Sequence, residues 1–236
     1  MPGPGAPRLW RRARRVAREQ GARGVVAAVL AHAGYRRLIV FERSLVALPP
    51  PLELPPGASV ERIDETTIGE YLALRPDTPE REVRAWIAAG HLGHAIRAQG
   101  RYVATGWTGG GQRHIAYLGA DVEFPPGVAY YHDLYADPTW RSLGTGTALV
   151  SHQLHALAAA GYTKIHGAVV PENHPSIRVC LKLGYLPVEW LVGLSFGRWR
   201  RVFRRPWRGA IESLERSTAH AQRRPGRDRH ESVDGP

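Results

Sequence analysis

The segment from Tyr131 to Tyr185 constrains this chain most. Its residue types specify a strand, a glycine-rich turn, a helix, a second strand and a second helix, in that order. The run Tyr131-His132-Asp133-Leu134-Tyr135-Ala136 is rich in strand formers and stops at Asp137-Pro138, since proline has no N–H for a continuing ladder. Arg141-Ser142-Leu143-Gly144-Thr145-Gly146 follows, after which Leu149, Val150, Leu154 and Leu157 recur at helical spacing. Gly144 and Gly146 lack a Cβ, so the backbone there can turn sharply and come close to a ligand. The first N–H groups of the helix have no intrahelical acceptor, and the helix dipole favours an anion in front of them. Arg141 adds a planar fork suited to phosphate oxygens. The segment therefore reads as a phosphate-binding turn.

Two common glycine loops do not fit it. A Walker loop needs Gly-Lys followed by Ser or Thr, and no lysine stands here. A dinucleotide fingerprint needs a third glycine and an acidic residue about twenty positions on, where this chain has Lys164 and His166. The segment instead resembles motif A of the GCN5-related N-acetyltransferases, Arg/Gln-x-x-Gly-x-Gly/Ala after a strand that ends near a proline. Asn173-His174-Pro175-Ser176 through Leu183-Gly184-Tyr185 is similar to motif B of the same family, at the right separation. The resemblance is strong over residues 128–186, weaker over 58–127 and absent at both ends.

That resemblance implies an α/β fold with a mixed sheet of acyl-CoA N-acyltransferase type. Its early strands would be antiparallel and its central pair parallel, with helices on the flanks. It also implies acetyl-CoA as co-substrate. The pantetheine arm would lie along the backbone of Leu134, Tyr135 and Ala136, and the pyrophosphate on Arg141 and the amides of Ser142, Leu143, Gly144, Thr145, Gly146 and Thr147. Asn173 matches a residue that contacts the coenzyme arm, and it also suits a helix N-cap ahead of Pro175. The reaction implied is direct attack of a neutral primary amine on the thioester carbonyl, with strand N–H groups polarising that carbonyl.

His132 stands where relatives carry a catalytic glutamate and is the candidate base, since an unperturbed imidazole accepts a proton near neutrality. The bland reading is a hydrogen-bonded histidine on a buried strand. In a regular strand Asp133 would point to the opposite side, and a bulge would change that. Cys180 stands at the position of the family's tyrosine acid, though a lone cysteine is more often a small buried hydrophobe; Tyr135 and Tyr185 are the alternatives.

The chain has 236 residues and a net charge of +11, with lysine only at Lys164 and Lys182, so the excess is almost all arginine. Anionic partners are favoured. One cysteine excludes an internal disulfide framework and suits a reducing, cytoplasmic setting of bacterial type. The longest apolar run, Gly24 to Ala33, is about half of the roughly twenty residues a membrane span needs. No secretory signal pattern opens the sequence. Eleven histidines are scattered without a ligand set, and His152 with His155 has only i, i+3 spacing, so no metal site is expected.

Three regions are expected. Residues 1–55 read as a basic N-terminal extension: an amphipathic helix with Leu9, Trp10, Ala13, Val16 and Ala17 on one face, a helix near 25–32, a strand at 37–46 and a proline-rich linker. Residues 56–207 read as the acyltransferase-like domain, with strands at 59–63, 94–98, 102–107, 128–136, 164–170 and 186–204 and helices at 66–74, 80–89, 146–160 and 175–183; residues 114–120 extend the early meander. Residues 208–236 form a charged tail expected to be disordered. Arg198 to Trp207 interleaves arginine with aromatics, as nucleic-acid surfaces do and as half-packed edge strands do more often.

The function expected is N-acetyl transfer from acetyl-CoA to an amine on a small molecule or peptide. The competing readings are a binding module of the same fold and a transferase using charged tRNA, the basic ends holding RNA or an anionic membrane surface. Acceptor specificity is expected from residues 66–90 and 186–200.

Overall fold

A computed structural model describes Leu30 and residues 34–115, 117–141, 143–196, 199–214 and 216. The helices expected before residue 34, Leu30 aside, the tail beyond 216, and Ser142 lie outside the described residues. The elements are β1 (Tyr35–Ser44), β2 (Ser59–Ile63), α1 (Ile68–Leu74), α2 (Glu80–Ala88), β3 (Leu92–Ala98), β4 (Arg101–Gly109), β5 (Gln112–Ile115), β6 (Ala120–Glu123), β7 (Val128–Ala136), α3 (Thr145–Ala159), β8 (Lys164–Val169), α4 (His174–Lys182), β9 (Leu186–Phe196) and β10 (Trp199–Pro206). Eight strands form one mixed sheet in the order β10-β9-β1-β8-β7-β4-β3-β2. Only β7 and β8 pair in parallel. The helix–strand unit between them makes that possible, because a parallel pair needs a long crossover.

Local chemistry explains most of these elements. Gln99 and Gly100 both have positive φ, the geometry of a tight hairpin between β3 and β4. α2 starts with Glu80 and Glu82 at its positive end and carries a Glu80–Arg84 pair one turn apart. α4 is capped by Asn173, whose side chain accepts the Ser176 N–H at 3.3 Å. It ends at Leu183-Gly184, where the Tyr185 N–H reaches the Cys180 carbonyl at 2.9 Å.

Two expectations need correction. The strand at the end of the supposed extension is present, but it lies inside the sheet between β8 and β9, paired antiparallel on both sides. Leu38-Ile39-Val40-Phe41 is buried throughout, and a continuous apolar run is the mark of a strand covered on both faces. A boundary at residue 55 therefore does not separate it from the domain. The proline-rich stretch is likewise docked: the imidazole N–H groups of His152 and His155 reach the carbonyls of Leu52 and Pro49 at 3.0 and 2.9 Å. Residues 112–123 do not extend the meander; β5 and β6 pair only with each other.

The sheet is covered on both faces. α1, α2 and the β5–β6 ribbon lie on one side. There Trp107, fully buried, meets Tyr71 edge-on at 5.8 Å and Trp86 at 5.2 Å. A Cβ on Gly93 would come within 2.8 Å of that indole, so glycine is what admits it. α3 and α4 lie on the other side, where Leu149, Leu154, Leu157 and Ile177 pack on β4, β7, β8 and β1.

Candidate active site

Gly144 is the N-cap of α3, with φ of +79°, a conformation that L side chains disfavour. It supplies no capping side chain, and the N–H groups of Gly144, Thr145, Gly146 and Thr147 find no acceptor among the described residues. A Cβ at Gly144 or Gly146 would meet nothing within 4 Å, so there is open space beside these two residues, while Thr145 and Thr147 are buried. A buried helix end left in this way would be costly; one facing open space suits an external anion. Arg141 lies exposed beside it, its Nε–H on the Ala136 carbonyl at 3.1 Å and its guanidinium 5.8 Å from the Tyr135 ring centre.

Upstream of this turn the central strands part. β7 and β8 are in register from Val128/Lys164 to Tyr131/Gly167, and beyond that β7 has no partner on its β8 side. On its β4 side the register jumps from Trp107/His132 to Thr105/Tyr135, which leaves Asp133 and Leu134 both opposite Gly106. This is a β-bulge, with Asp133 at φ +50°. Leu134, Tyr135 and Ala136 thus border a gap in the sheet that runs toward the α3 N-terminus.

The bulge turns Asp133 to the same side as His132, against the expectation for a regular strand. Its carboxylate accepts the Tyr71 hydroxyl at 2.5 Å and the Arg75 guanidinium at 2.6 Å, tying β7 to α1. Arg75 also lies 4.7 Å from the Tyr135 ring, so that ring sits between two guanidiniums. A cavity of about 510 Å³ opens beside it, lined by Arg75, Asp77, Arg101, Tyr102, Tyr135 and Asp137. Its arginines are already paired, with Asp133 and Asp137.

His132 does not suit the role of base. Its Nδ1 accepts from Arg113 at 3.1 Å and its Nε2 lies 3.1 Å from His91 Nδ1, so both ring nitrogens are engaged. Burial, the Arg113 charge and His91 together push its pKa down to about 2. An imidazole so disposed stays neutral at neutral pH and is too weak a base to take up a further proton. Cys180 fails as an acid for a related reason: it packs against the core cluster containing Ile177 and Tyr185, and burial pushes its thiol up to about 12. Asn173 acts as the helix cap described above. Tyr185 is buried and Tyr131 partly so, both with pKa values well above the usual range because of desolvation, and the Tyr131 hydroxyl donates to Gln153.

Several residues of the site escaped the sequence. Arg113 on β5, His91 just before β3, Tyr71 and Arg75 at the end of α1, and Gln153 on α3 have no motif linking them to β7. Among the described residues no cluster of His, Cys, Asp and Glu could hold a metal, and no helix is long and apolar enough to cross a membrane.

The buried histidines make stability pH-dependent. His132 is depressed to about 2 and His94, mainly by burial, to about 4. The unfolded chain takes up these protons first, so this contribution is complete above about pH 6.5 and is lost as pH falls below it. Each group costs about 1.4 kcal/mol per pH unit over that window. Urea unfolding is expected to show a loss of about 2 to 4 kcal/mol between pH 7 and pH 5. Equal stabilities would contradict the assignment.

Comparison with known proteins agrees with this geometry. The Acetyltransferase (GNAT) family model matches residues 60–185. A GCN5-related N-acetyltransferase from Sphaerobacter thermophilus shares the fold with a TM-score of 0.50 at 15% identity, over 82% of this chain and 59% of that one. A Drosophila protein does so with a TM-score of 0.50 at 14% identity, over 72% and 56%. A GCN5-related N-acetyltransferase from Kribbella flavida is 19% identical over 80% and 66%, with a TM-score of 0.48. The chain therefore spans under two thirds of the length of each of these structures. With the family model covering more than half of it, this chain belongs to the GNAT acetyltransferase family.

Proposed function

We propose that this protein transfers an acyl group, acetyl foremost, from acyl-CoA to a primary amine. The observation that carries this reading is the row of amides from Gly144 to Thr147 that find no acceptor among the described residues, with open space beside Gly144 and Gly146, at the end of a gap between two parallel strands. An acyl-CoA, when bound, supplies a thioester that a neutral amine can attack directly. The amides and Arg141 are the groups to hold its phosphates, and the β7 backbone from Leu134 to Ala136 is the edge to hold its arm. The bulge leaves main-chain groups of Asp133 and Leu134 without a strand partner on either side, where an N–H can polarise a carbonyl.

No side chain of β7 is disposed to remove the amine's proton. We therefore assign the first deprotonation, ammonium to neutral amine, to ionisation of the acceptor in solution; the second proton, released when the attacked nitrogen becomes an amide, passes through water to the departing thiolate. His132 is then a positioning residue that steadies Arg113 and His91. His132→Ala is expected to lower the melting temperature while the rise of rate with pH keeps the acceptor's own midpoint. Disappearance of that limb would restore histidine as the base.

The overall reading is tested by melting the protein with acetyl-CoA and by following thiol release over a panel of amines. Coenzyme at about a hundred times its Kd should add about 2.7 kcal/mol of stability. A binding module or a tRNA-dependent enzyme would show neither effect, and absence of both would defeat the proposal.

A further inference from the structure

β9 and β10 end the sheet in a hairpin whose two faces differ. Arg200, Val202 and Arg204 turn toward the ribbon side: Arg200 reaches the Gly119 carbonyl, Val202 packs in the core beneath the ribbon, and Arg204 pairs with Glu189. Trp199, Arg201, Phe203 and Arg205 alternate onto the opposite face, opposite Phe196, Leu194, Val192 and Trp190 of β9. α3 and α4 cover that face only as far as Trp190, which stacks on Trp207 at 5.0 Å. Beyond it the apolar side chains stand in solvent. Phe196 is 84% exposed, Trp199 50%, Phe203 43% and Leu194 37%.

Burial cannot account for this cluster. Isolated exposed hydrophobes are ordinary, but four adjacent ones, two of them flanking a hairpin turn, mark an interaction surface. Its charge is of one sign. Arg201 and Arg205 make no ion pair or hydrogen bond among the described residues, and no acidic residue alternates onto this part of the face. The Gly34 carbonyl accepts the Ser195 N–H at 2.9 Å, so β1 starts beside this end of β9.

We infer that the Phe196/Trp199 end of this hairpin docks on an anionic lipid surface. Aromatic rings rest at headgroup depth, and each arginine near the surface gains from lipid phosphates. One weak signal binds membranes only marginally, and here an apolar tip and a cationic patch coincide. Single-stranded RNA also takes aromatics beside arginine, but Leu194 sets an aliphatic side chain among the rings, which offers a base no face to stack on and suits acyl chains. The inference is independent of the acyl-transfer reading, since it uses none of the residues around the α3 N-terminus.

The test is flotation of the full chain with phosphatidylcholine vesicles, with and without about a third phosphatidylglycerol, in low and high salt. Binding is expected only to the anionic vesicles, weakening as salt rises. Phe196→Ser with Trp199→Ser, and separately Arg201→Gln with Arg205→Gln, should each reduce it about tenfold or more while the melting temperature stays put. Three results would overturn the proposal: no binding to anionic vesicles; binding that both double variants leave unchanged; or a dimer in light scattering that the aromatic variant dissociates, which would make the face a contact between copies. Displacement from vesicles by a stoichiometric amount of oligo(U) would reassign it to RNA.

Discussion

Gly144→Glu is expected to abolish the stabilisation of this protein by acetyl-CoA, with affinity falling about a hundredfold or more, because like charges set together cost several kcal/mol. The Cβ would enter open space, so the substitution strains only the backbone at φ +79°, by roughly 1 to 2 kcal/mol. The fold should survive. Its new carboxylate would stand before the amides of Thr145, Gly146 and Thr147 and occupy them as an internal cap, repelling any diphosphate. Gly144→Ala imposes the same strain without the charge, and should keep affinity within about tenfold of the parent. Calorimetric titration with acetyl-CoA separates the two. A Glu variant that binds as tightly as the parent would show that the diphosphate sits elsewhere.

Asp133→Ala is expected to be the most damaging single change to stability near the site. Asp133 is the shared acceptor of Tyr71 and Arg75, its side chain 17% exposed and that of Arg75 25%. Removing one partner of a fully buried pair costs about 3 to 5 kcal/mol. Water reaches Arg75, so about 2 to 4 kcal/mol is the better expectation here. The same change frees the bulge from α1, and turnover should drop along with the urea midpoint. Asp133→Asn keeps an acceptor for the Tyr71 hydroxyl and tolerates positive φ, so it should lose less on both counts. An Ala variant with the parental midpoint would mean that the bulge is held by β4 alone.

Much of the secondary structure was legible because its causes are local. Helical spacing in α3, the Asn173 cap and Gly184 stop of α4, the Gln99-Gly100 turn and the Asp137-Pro138 end of β7 each depend on residues within a few positions of one another. The glycine turn before α3 was legible for the same reason, since two glycines and a helix start suffice to leave amides bare. The insertion of β1 between β8 and β9 was half legible. Residues 37–46 read as a strand, but as part of an N-terminal extension, and nothing in the Leu38-Ile39-Val40-Phe41 run named its neighbours.

The chemistry of His132, Asp133 and Cys180 could not be read in this way. His132 is silenced by Arg113 and His91, which lie 19 and 41 positions away. Asp133 is turned to α1 by one extra residue in the β7 ladder, and a bulge leaves no sequence pattern of its own. Cys180 lies in the core because of how α4 packs. Sequence by itself determined where the backbone turns, where a helix opens on bare amides, and which family these features belong to, since each follows from steric limits and hydrogen bonds between near neighbours. Only tertiary structure decided which side chains are free to react and which face of the β9–β10 hairpin is bare, because proton affinity and exposure depend on groups brought together from distant parts of the chain.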